Sequence, residues 1–509
     1  MKRRDFIKTA TALSIAGTKM PLMALTRPKH LRKSSGNWGS DRIVLLIKLN
    51  GGNDGLNTLI PIQDINYYNK RPNLGIKASD ALPIQYDTAF HPSLVNSQRL
   101  FQQGMMSIIH GVGYGNSNLS HFRSSDIWMT GSGADRVWNT GWLGRMLTND
   151  YPDYPANIPD HPIGIQMGSA NLLEFQTKDT NMATMMGNGD SLYKIIDENY
   201  ITGSTDPAPQ TYGGEELNYL RGIDESTYEF SGIINEAGRK GINNVEYPET
   251  KIGLQLAVAA KLISGGLTTP IYRLNHGGFD THNNQWNDHI ALLQELDQAV
   301  FAFLEDMGDQ GLLDKVLVVT TSEFGRRVKE NGSMGTDHGT AGPTFLYGSS
   351  LRGDIIGKQP DLFNLNSGNI SIQHDYRQIY STIMQDWFGL AVDTVTQVLE
   401  ESYDAIPVIN FPLTTDHPTA IPSEFKLHPA FPNPFNPTAE IRFEIPKGSQ
   451  VKITVYNITG RIVMQKDLGF KPSGFHRYIL GPKGWASGTY IIQVEALQSI
   501  LNQRITYLK

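Results

Sequence analysis

Leu49-Asn50-Gly51-Gly52-Asn53-Asp54-Gly55-Leu56-Asn57 follows directly on the apolar run from Ile43 to Ile47, and this junction indicates the fold. An apolar run of that length that stops at glycines and an acid is typical of a short buried strand meeting a loop. Three later runs repeat the design: Ile271 to Leu274 leads to Asp280 and His282, Val316 to Val319 leads to Glu323, and Met106 to Ile109 leads towards Ser120-His121. Buried strands are therefore predicted to end in acids and histidines.

Strand-terminal residues that are distant in sequence meet in an open α/β sheet, because ligands bind in the crevice outside the carboxyl ends of the strands. The residues expected to gather there are Asp54, Asp280, His282, Glu323 and His338. Three carboxylates and two imidazoles form a mixed oxygen and nitrogen set that suits a divalent cation. Desolvating several carboxylates together is costly unless a cation compensates them, so a metal is predicted even for a chain without catalysis.

Composition excludes several classes of protein. The 509 residues carry a formal net charge of −6, and 18% of them are charged, below the usual value of about 25%. Nucleic-acid binding is not expected, since it usually requires a basic face. The chain has no cysteine, which removes disulfides, thiolate nucleophiles and thiolate zinc sites together. Any metal is held by oxygen and imidazole.

The spacing after His282 predicts alternating strands and helices. Ile290, Leu293, Leu296, Val300 and Phe303 recur on one helical face, Gly308 to Gly311 ends that helix, and the next strand begins at Lys315. This βαβ order predicts an α/β fold with a mainly parallel sheet flanked by helices. We expect this large domain to span residues 41–405.

The amino terminus resembles an export signal. Lys2-Arg3-Arg4 precedes a short, mildly apolar segment, and paired arginines there are similar to a twin-arginine signal; an amphipathic surface helix is the alternative. The signal is predicted over residues 1–26 and a polar linker over 27–40. The apolar part is shorter than the roughly 20 residues that span a bilayer, so the mature chain is expected to lack a transmembrane segment.

The carboxy-terminal region has a different pattern. Four prolines punctuate a linker predicted over residues 406–424, and alternating strands separated by turn signals predict a small all-β, Ig-like sandwich over 425–509. Three landmarks resemble the sorting domain of the type IX secretion system: Pro429 to Pro437, Val455 to Arg461, and Ala486 to Tyr490. The resemblance implies passage through the periplasm, by the twin-arginine and type IX export machinery, to the cell surface or the medium. An ordinary Ig-like module is the alternative.

The large domain resembles the DUF1501 family of the alkaline-phosphatase and sulfatase-like superfamily. The resemblance is carried by six runs: Gly51 to Asn57, Ser120 to Phe122, Gly141 to Arg145, Phe279 to His282, Ser322 to Arg327, and Thr336 to Gly339. It implies an alkaline-phosphatase-like fold and hydrolysis of phosphate or sulfate esters with bound metal. It further implies that Asp54, Asp280, His282, Glu323 and His338 are metal ligands. The superfamily usually has a histidine directly after the acid that Glu323 matches. Phe324 stands there instead, which puts a two-metal mechanism in doubt.

The nucleophile and the oxyanion contact are assigned with alternatives. Ser120 is the predicted nucleophile, with Ser124, Ser125 and Thr130 as competitors and helix capping as the other role of Ser120. Arg326 is the predicted catalytic cation, since a guanidinium suits the oxyanion of phosphate or sulfate, and pairing with acids is the alternative for Arg326 and Arg327. Asp54 could instead shape a turn, and Asp280 could cap a helix. The reserve ligands are His121, His276 and His289.

Together these features predict an exported metal-dependent hydrolase of phosphate or sulfate esters, with a small-molecule or polysaccharide ester as substrate. The alternative is a non-catalytic, metal-stabilised surface binding protein, for example one associated with polysaccharide. Zinc, manganese and calcium are the candidate metals, and two imidazoles favour the first two over calcium.

Overall fold

The computed structural model describes residues 41–85, 87–168, 173–186, 230–410, 424–428, 430, 433–436, 438–471, 474–482 and 484–508. The chain forms two compact units, residues 1–412 and 413–509. The predicted signal (1–26) and the linker predicted over 27–40 lie outside the described residues, as does most of the linker predicted over 406–424. None of the described helices combines the length and the apolar character needed to cross a membrane.

The first unit alternates strands and helices. Its strands are β1 (Ile43–Asn50), β2 (Leu59–Ile60), β3 (Leu82–Pro83), β4 (Ala89–Phe90), β5 (Met106–Gly113), β6 (Ile165–Met167), β7 (Thr184–Met186), β8 (Ile271–Gly277), β9 (Val316–Thr321), β10 (Gly325–Glu330), β11 (Thr336–Gly339), β12 (Gly342–Tyr347), β13 (Ile355–Ile356) and β14 (His374–Asp375). Its helices are α1 (Gly55–Thr58), α2 (Ile65–Lys70), α3 (Val95–Gln102), α4 (His121–Thr130), α5 (Trp142–Asp150), α6 (Lys251–Ser264), α7 (Gln285–Asp309), α8 (Tyr376–Thr382) and α9 (Val392–Leu399).

A mostly parallel sheet lies at the centre of this unit. Within the described residues it has nine strands, in the order β13-β5-β12-β9-β1-β8-β6-β7, with β14 paired to β5. β1 pairs in parallel with β8 and with β9, and β12 is antiparallel to both β9 and β5. Strands β1, β5, β8 and β9 therefore run in one direction, and their carboxyl ends share one edge of the sheet.

Side chains of β1 alternate between two cores, one on each face of the sheet. Leu45 and Ile47 lie in the core covered by α6 and α7, and Val44 and Leu46 lie in the core covered by α4, α5, α8 and α9. A strand buried on both faces reads as a continuous apolar run, which is the pattern of Ile43 to Ile47. Helices on both faces confirm the predicted α/β class with a mainly parallel sheet.

The loop after β1 is shaped by Gly51 and Gly52, whose φ angles are +120° and +83°. Glycine adopts such angles without the steric cost of a β-carbon. A β-carbon on Gly51 would also lie 2.2 Å from the backbone nitrogen of Asp280. The glycine therefore allows the loop after β1 to contact the loop after β8.

The second unit consists of two antiparallel sheets. Its strands are β15 (Lys426–Leu427), β16 (Ala439–Ile445), β17 (Ser449–Asn457), β18 (Ile462–Lys471), β19 (Gly474–Leu480), β20 (Gly488–Ala496) and β21 (Ser499–Tyr507). One sheet has the order β15-β16-β19 and the other β18-β17-β20-β21. Alternate residues such as Ile453, Val455, Ile492 and Val494 enter a shared core. The predicted small β-sandwich is confirmed.

Candidate metal centre

Four of the five predicted ligands lie at the shared edge of the sheet. Asp280 and His282 follow β8, Glu323 follows β9, and His338 lies on β11, which pairs with β10 in a hairpin. His121, which sequence reasoning held only in reserve, joins them from the first residue of α4. The structure thus places Asp280, His282, Glu323 and His338 at one edge of the sheet, and adds His121 to them.

The carboxylate of Asp280 is the centre of this cluster. The Nε2 atoms of His282 and His338 lie 3.2 and 3.1 Å from Asp280 Oδ1, and the Nε2 atom of His121 lies 3.2 Å from Oδ2. His282 Nε2 and His338 Nε2 are 2.9 Å apart. Three ring nitrogens therefore face one carboxylate, and the side chains of Asp280 and His282 are 48% and 42% exposed, so the cluster is open to solvent.

In two of the histidine rings, a hydrogen bond at Nδ1 fixes the tautomer. His338 Nδ1 lies 2.7 Å from the carbonyl oxygen of Leu119, and His121 Nδ1 lies 3.0 Å from Glu323 Oε1. Both oxygens accept hydrogen bonds, so each Nδ1 carries the proton and each neutral ring presents the lone pair of Nε2 to Asp280. Metal-binding histidines are oriented in this way, with the far nitrogen donating to a carboxylate or a backbone carbonyl.

The donor set fits a divalent cation. Within the described residues, His121 Nε2 is buried without a hydrogen-bond partner, because its approach to Asp280 lacks the alignment of a hydrogen bond. Ligand atoms of His121, Asp280 and His338 all lie within 4.8 Å of one another. Unpaired lone pairs on nitrogen and oxygen at this spacing repel one another unless a proton or a cation lies between them. Imidazoles with one carboxylate form a typical zinc donor set.

The electrostatics of the cluster keep Asp280 ionised. Burial raises the pKa of Asp280, but the hydrogen bond from Arg326 and the positive charge of its guanidinium outweigh this effect, and the pKa of Asp280 is lowered to about 2. The hydrogen bond to Glu323 raises the pKa of His121, whereas burial lowers the pKa of His338. Asp280 therefore presents a full negative charge over the range in which proteins are stable.

Asp54 departs from its predicted role as a ligand. It is 1% exposed and forms a two-pronged ion pair with buried Arg71, at 2.6 and 2.9 Å, and it also accepts a hydrogen bond from Gln285. Arg71 donates further to Asn57 and to the carbonyl oxygen of Val328. A guanidinium compensates this carboxylate, so Asp54 holds the loop in place rather than joining the cluster.

Arg326 also differs from its predicted role as a catalytic cation. Its side chain is 0% exposed and donates to the carbonyl oxygens of Gly51, Gly52, Phe279 and Thr336 and, at 2.7 Å, to Asp280 Oδ1. All three nitrogens of the guanidinium are engaged by the protein. Arg326 therefore ties the loops after β1 and β8 to the hairpin, and no face of it is left for a substrate oxyanion.

Glu323 touches the cluster through His121. It is 2% exposed, and its Oε1 accepts hydrogen bonds from His121 Nδ1 and, at 2.8 Å, from the backbone nitrogen of Gly51. The ring of the next residue, Phe324, packs against the rings of His121 and His338, with distances of 4.9 and 4.3 Å between ring centroids. Glu323 therefore orients the ring of His121, and Phe324 fills the space beside the rings of His121 and His338.

A cleft of about 400 Å³ opens beside the cluster. The described residues that line it include His121, Ser125, Asp280, Glu323, Lys48 and Arg273. Ser120, the predicted nucleophile, is the exposed N-cap of α4, its side chain makes no capping hydrogen bond, and it is not among those lining residues. Ser125, held as a competitor, does line the cleft.

The sequence analysis missed Lys48 and named His121 only as a reserve ligand. Lys48 interrupts an otherwise apolar strand, and a charged residue in such a run is a usable signal of a functional position. The signal for His121 was its place after β5, a strand parallel to β8 and β9. The other reserve histidines are engaged elsewhere: His276 contacts the carbonyl oxygen of Leu292, and His289 contacts Asn53.

The fold and the cluster show which class of protein this is. It is an α/β protein with a cluster of histidines and an aspartate at the carboxyl edge of a mostly parallel sheet. The resemblance to DUF1501 is confirmed for residues 231–391, which match the model of that family, described as a protein of unknown function. Residues 429–507 match the secretion system C-terminal sorting domain. The second unit is therefore an export module, and the chain is directed to the cell surface or the extracellular space.

Solved structures with a similar course of the chain include three from bacteria. They are PsFucS1 sulfatase from Pseudoalteromonas sp. (12% identity, 87% of this chain and 84% of that chain, TM-score 0.34), a protein in the alkaline phosphatase superfamily from Vibrio parahaemolyticus (11%, 92% and 91%, 0.32), and the lipoteichoic acid synthase LtaP from Listeria monocytogenes (9%, 78% and 82%, 0.30). Scores of this size do not transfer an activity. A comparison with curated proteins found no match.

Proposed function

We propose that the protein is an exported, metal-dependent hydrolase of phosphate or sulfate esters, with its chemistry in residues 41–405 and its sorting signal in 425–509. The observation that carries the proposal is the convergence of the Nε2 atoms of His121, His282 and His338 on the carboxylate of Asp280. The adjoining cleft supports it, because a hydrolase needs room for an ester beside the metal. The resemblance of the large domain to a superfamily of ester hydrolases points the same way.

His121, Asp280, His282 and His338 would hold the cation. A divalent cation supplies Lewis-acid polarisation of the oxygens of the ester. Three nitrogens and one carboxylate favour zinc over manganese, and either of them over calcium, which takes oxygen ligands. One ion fits this set better than two, because Phe324 fills the position of a further imidazole.

The residues around the ligands fix the site in advance. Glu323 and the carbonyl oxygen of Leu119 hold two rings in the tautomer that presents Nε2. Arg326 holds Asp280 in place and keeps it ionised. Such second-layer contacts typically change metal affinity or activity by about 10–100-fold when they are removed.

The route to the site of action follows from the two ends of the chain. We infer that the predicted twin-arginine signal carries the folded protein into the periplasm and that the sorting domain then directs it through the type IX system. Twin-arginine substrates cross the membrane folded and many load their cofactor first, which suits a metalloprotein. The substrate is then an ester met outside the cell, either a small molecule or a polysaccharide.

The test combines elemental analysis with turnover. Purified full-length protein should contain close to one equivalent of metal and should hydrolyse aryl phosphate or aryl sulfate esters until a chelator is added. His121→Ala and His338→Ala should lose both metal and turnover. His161→Ala is the matched control, because His161 lies outside the cluster and contacts Thr268.

The alternative function has its own signature in the same experiment. Metal present in the wild type but lost in His338→Ala, with no turnover on either ester class, would favour the non-catalytic surface binding protein. The full engagement of Arg326 by protein groups is the feature that favours this alternative. Protein that contains no metal and melts at the same temperature with and without EDTA would end the metal hypothesis itself.

A further inference from the structure

Lys48 and Ser125 make a direct contact in the wall of the cleft. Lys48 Nζ donates a hydrogen bond to Ser125 Oγ at 2.7 Å. Lys48 lies near the end of β1, on the face that carries Val44 and Leu46, and α4 packs on that face. A lysine in a central strand is unusual, because lysine is rarely buried unless it is paired.

Two of the carboxylates whose charge acts on Lys48, Glu323 and Glu174, accept hydrogen bonds from other groups, although Glu323 Oε2 is buried without a partner among the described residues. Glu323 accepts from His121 and from the backbone of Gly51, and Glu174 accepts from Arg273 and from Trp142. The described contact of the ammonium is therefore with a hydroxyl. A lysine retained only to neutralise a buried acid would be expected to touch that acid.

The surroundings of Lys48 favour its neutral form over its charged form. Burial lowers the pKa of Lys48, and this outweighs the opposite effect of Glu323. A neutral amine in the same place accepts a hydrogen bond from the hydroxyl, so the 2.7 Å contact reverses and the serine proton points at a base. Desolvated lysines next to a nucleophile act as general bases in this way.

The pair faces the same space as the candidate metal centre. Ser125 and His121 are four residues apart on α4, which places them on the same face of the helix. Both of them line the cleft, together with Lys48 and Asp280. An ester held against the Asp280 cluster would therefore lie in the space into which Ser125 projects.

We propose that Ser125 is the nucleophile of this cleft and that Lys48 is its general base, a role that rests on the proposed ester hydrolysis. Ser125 Oγ attacks the phosphorus or sulfur atom, its proton passes to Lys48 Nζ, and the bond to the leaving alcohol breaks. The alcohol oxygen takes the proton from the Lys48 ammonium. Water then attacks the covalent ester, gives its proton to Lys48, and Ser125 leaves and is reprotonated.

Ser125 is a better candidate than Ser120 for two reasons. Its hydroxyl contacts a base directly, whereas the described polar contacts of Ser120 are made by its backbone, with Asn118 and Ser124. It also lines the cleft, whereas Ser120 is exposed at the N-cap of α4. Nucleophile and base within hydrogen-bond reach is the arrangement that activates an alcohol.

The experiment uses covalent labelling of the full chain with diisopropyl fluorophosphate, which forms an Oγ–P bond and releases fluoride. Peptide mass spectrometry should locate the label on Ser125, and Ser125→Ala should not be labelled. Lys48→Met and Lys48→Arg should label about 100-fold more slowly or worse, because arginine keeps the charge but is no base at neutral pH. Ser349→Ala and Lys329→Met are matched controls at exposed positions and should label as the wild type does.

Several results would overturn the inference. They are an unlabelled wild type, a label on Ser120, and an unchanged labelling rate in Lys48→Arg. Urea unfolding and metal content of each variant show whether it has folded. Metal-dependent turnover that persists in Ser125→Ala refutes this inference and leaves the proposed function standing. Labelling at Ser125 that depends on Lys48, in protein without metal or ester turnover, refutes the proposed function alone.

Discussion

The buried pair of Asp54 and Arg71 gives the sharpest prediction about stability. Both residues are 1% exposed, and the guanidinium donates twice to the carboxylate. Asp54→Asn keeps the size of the side chain and removes its charge, which leaves a buried cation without its partner. Breaking such a pair costs about 3–5 kcal/mol. The total stability of a domain is about 5–15 kcal/mol, so this loss is a large fraction of it.

The assay is equilibrium urea unfolding of the full chain, followed by tryptophan fluorescence and far-UV circular dichroism. Trp142 and Trp387 are fully buried in the first unit and report on its core. Asp54→Asn should move the unfolding midpoint to markedly lower urea. Adding Arg71→Met should cost less than the sum of the two single changes, because the pair couples by about 0.5–3 kcal/mol.

Glu236→Gln is the matched control, since it removes a carboxylate from an exposed ion pair with Lys240 and should leave the midpoint unchanged. The refuting result is specific. If Asp54→Asn unfolds at the urea concentration of the wild type but loses its metal, then Asp54 is a ligand, as the sequence alone predicted, and the role assigned to Arg71 is mistaken.

Three further predictions concern the loops and the core. Arg326→Lys should lower the free energy of unfolding by about 2–4 kcal/mol, because a compact ammonium cannot replace the guanidinium fork. The metal content should fall as well. An unchanged free energy of unfolding would refute the role of Arg326 in holding the loops together. Gly335→Ala should reduce bound metal, since its β-carbon would lie 2.2 Å from the backbone of His282, whereas Gly332→Ala, with open space around it, should not. Burial lowers the pKa of His289 to about 4, against 6.5 in the unfolded chain. Because the folded protein favours the neutral ring, the contribution of His289 to the free energy of unfolding is complete above pH 6.5 and is lost as the pH falls to 4. At about 1.36 kcal/mol per pH unit this is about 3 kcal/mol, and His289→Gln should flatten the pH dependence of unfolding by that amount.

Much of the fold could be predicted because its signals are local. The small sandwich predicted over residues 425–509 contains strands such as Ala439–Ile445 and Gly488–Ala496, and the helix predicted to end in Gly308 to Gly311 ends at Asp309. Apolar periodicity and turn residues act over a few positions, so a single sequence displays them. The gathering of Asp280, His282, Glu323 and His338 followed from one further rule, that parallel strands end on the same side.

The roles of the other site residues depend on contacts with distant residues, which no local sequence pattern predicts. Asp54 stands in the run that best predicts a ligand, yet Arg71, seventeen positions later, supplies its counter-charge. Arg326 was expected to meet a substrate, but its donors are taken by carbonyl groups of three separate segments. Only tertiary structure decides whether a charged side chain is satisfied by the protein or is left for a ligand.

Helix α4 carries both His121 and Ser125, and this arrangement has a mechanical consequence. An α-helix rises about 1.5 Å per residue, so four residues set an offset of about 6 Å along its axis. The ring of His121 that faces Asp280 and the hydroxyl of Ser125 that faces Lys48 belong to the same helix. Motion of the surrounding loops can tilt or shift this helix as a rigid body. The distance along the helix axis between His121 and Ser125 is set by the helical backbone and does not change with such a motion.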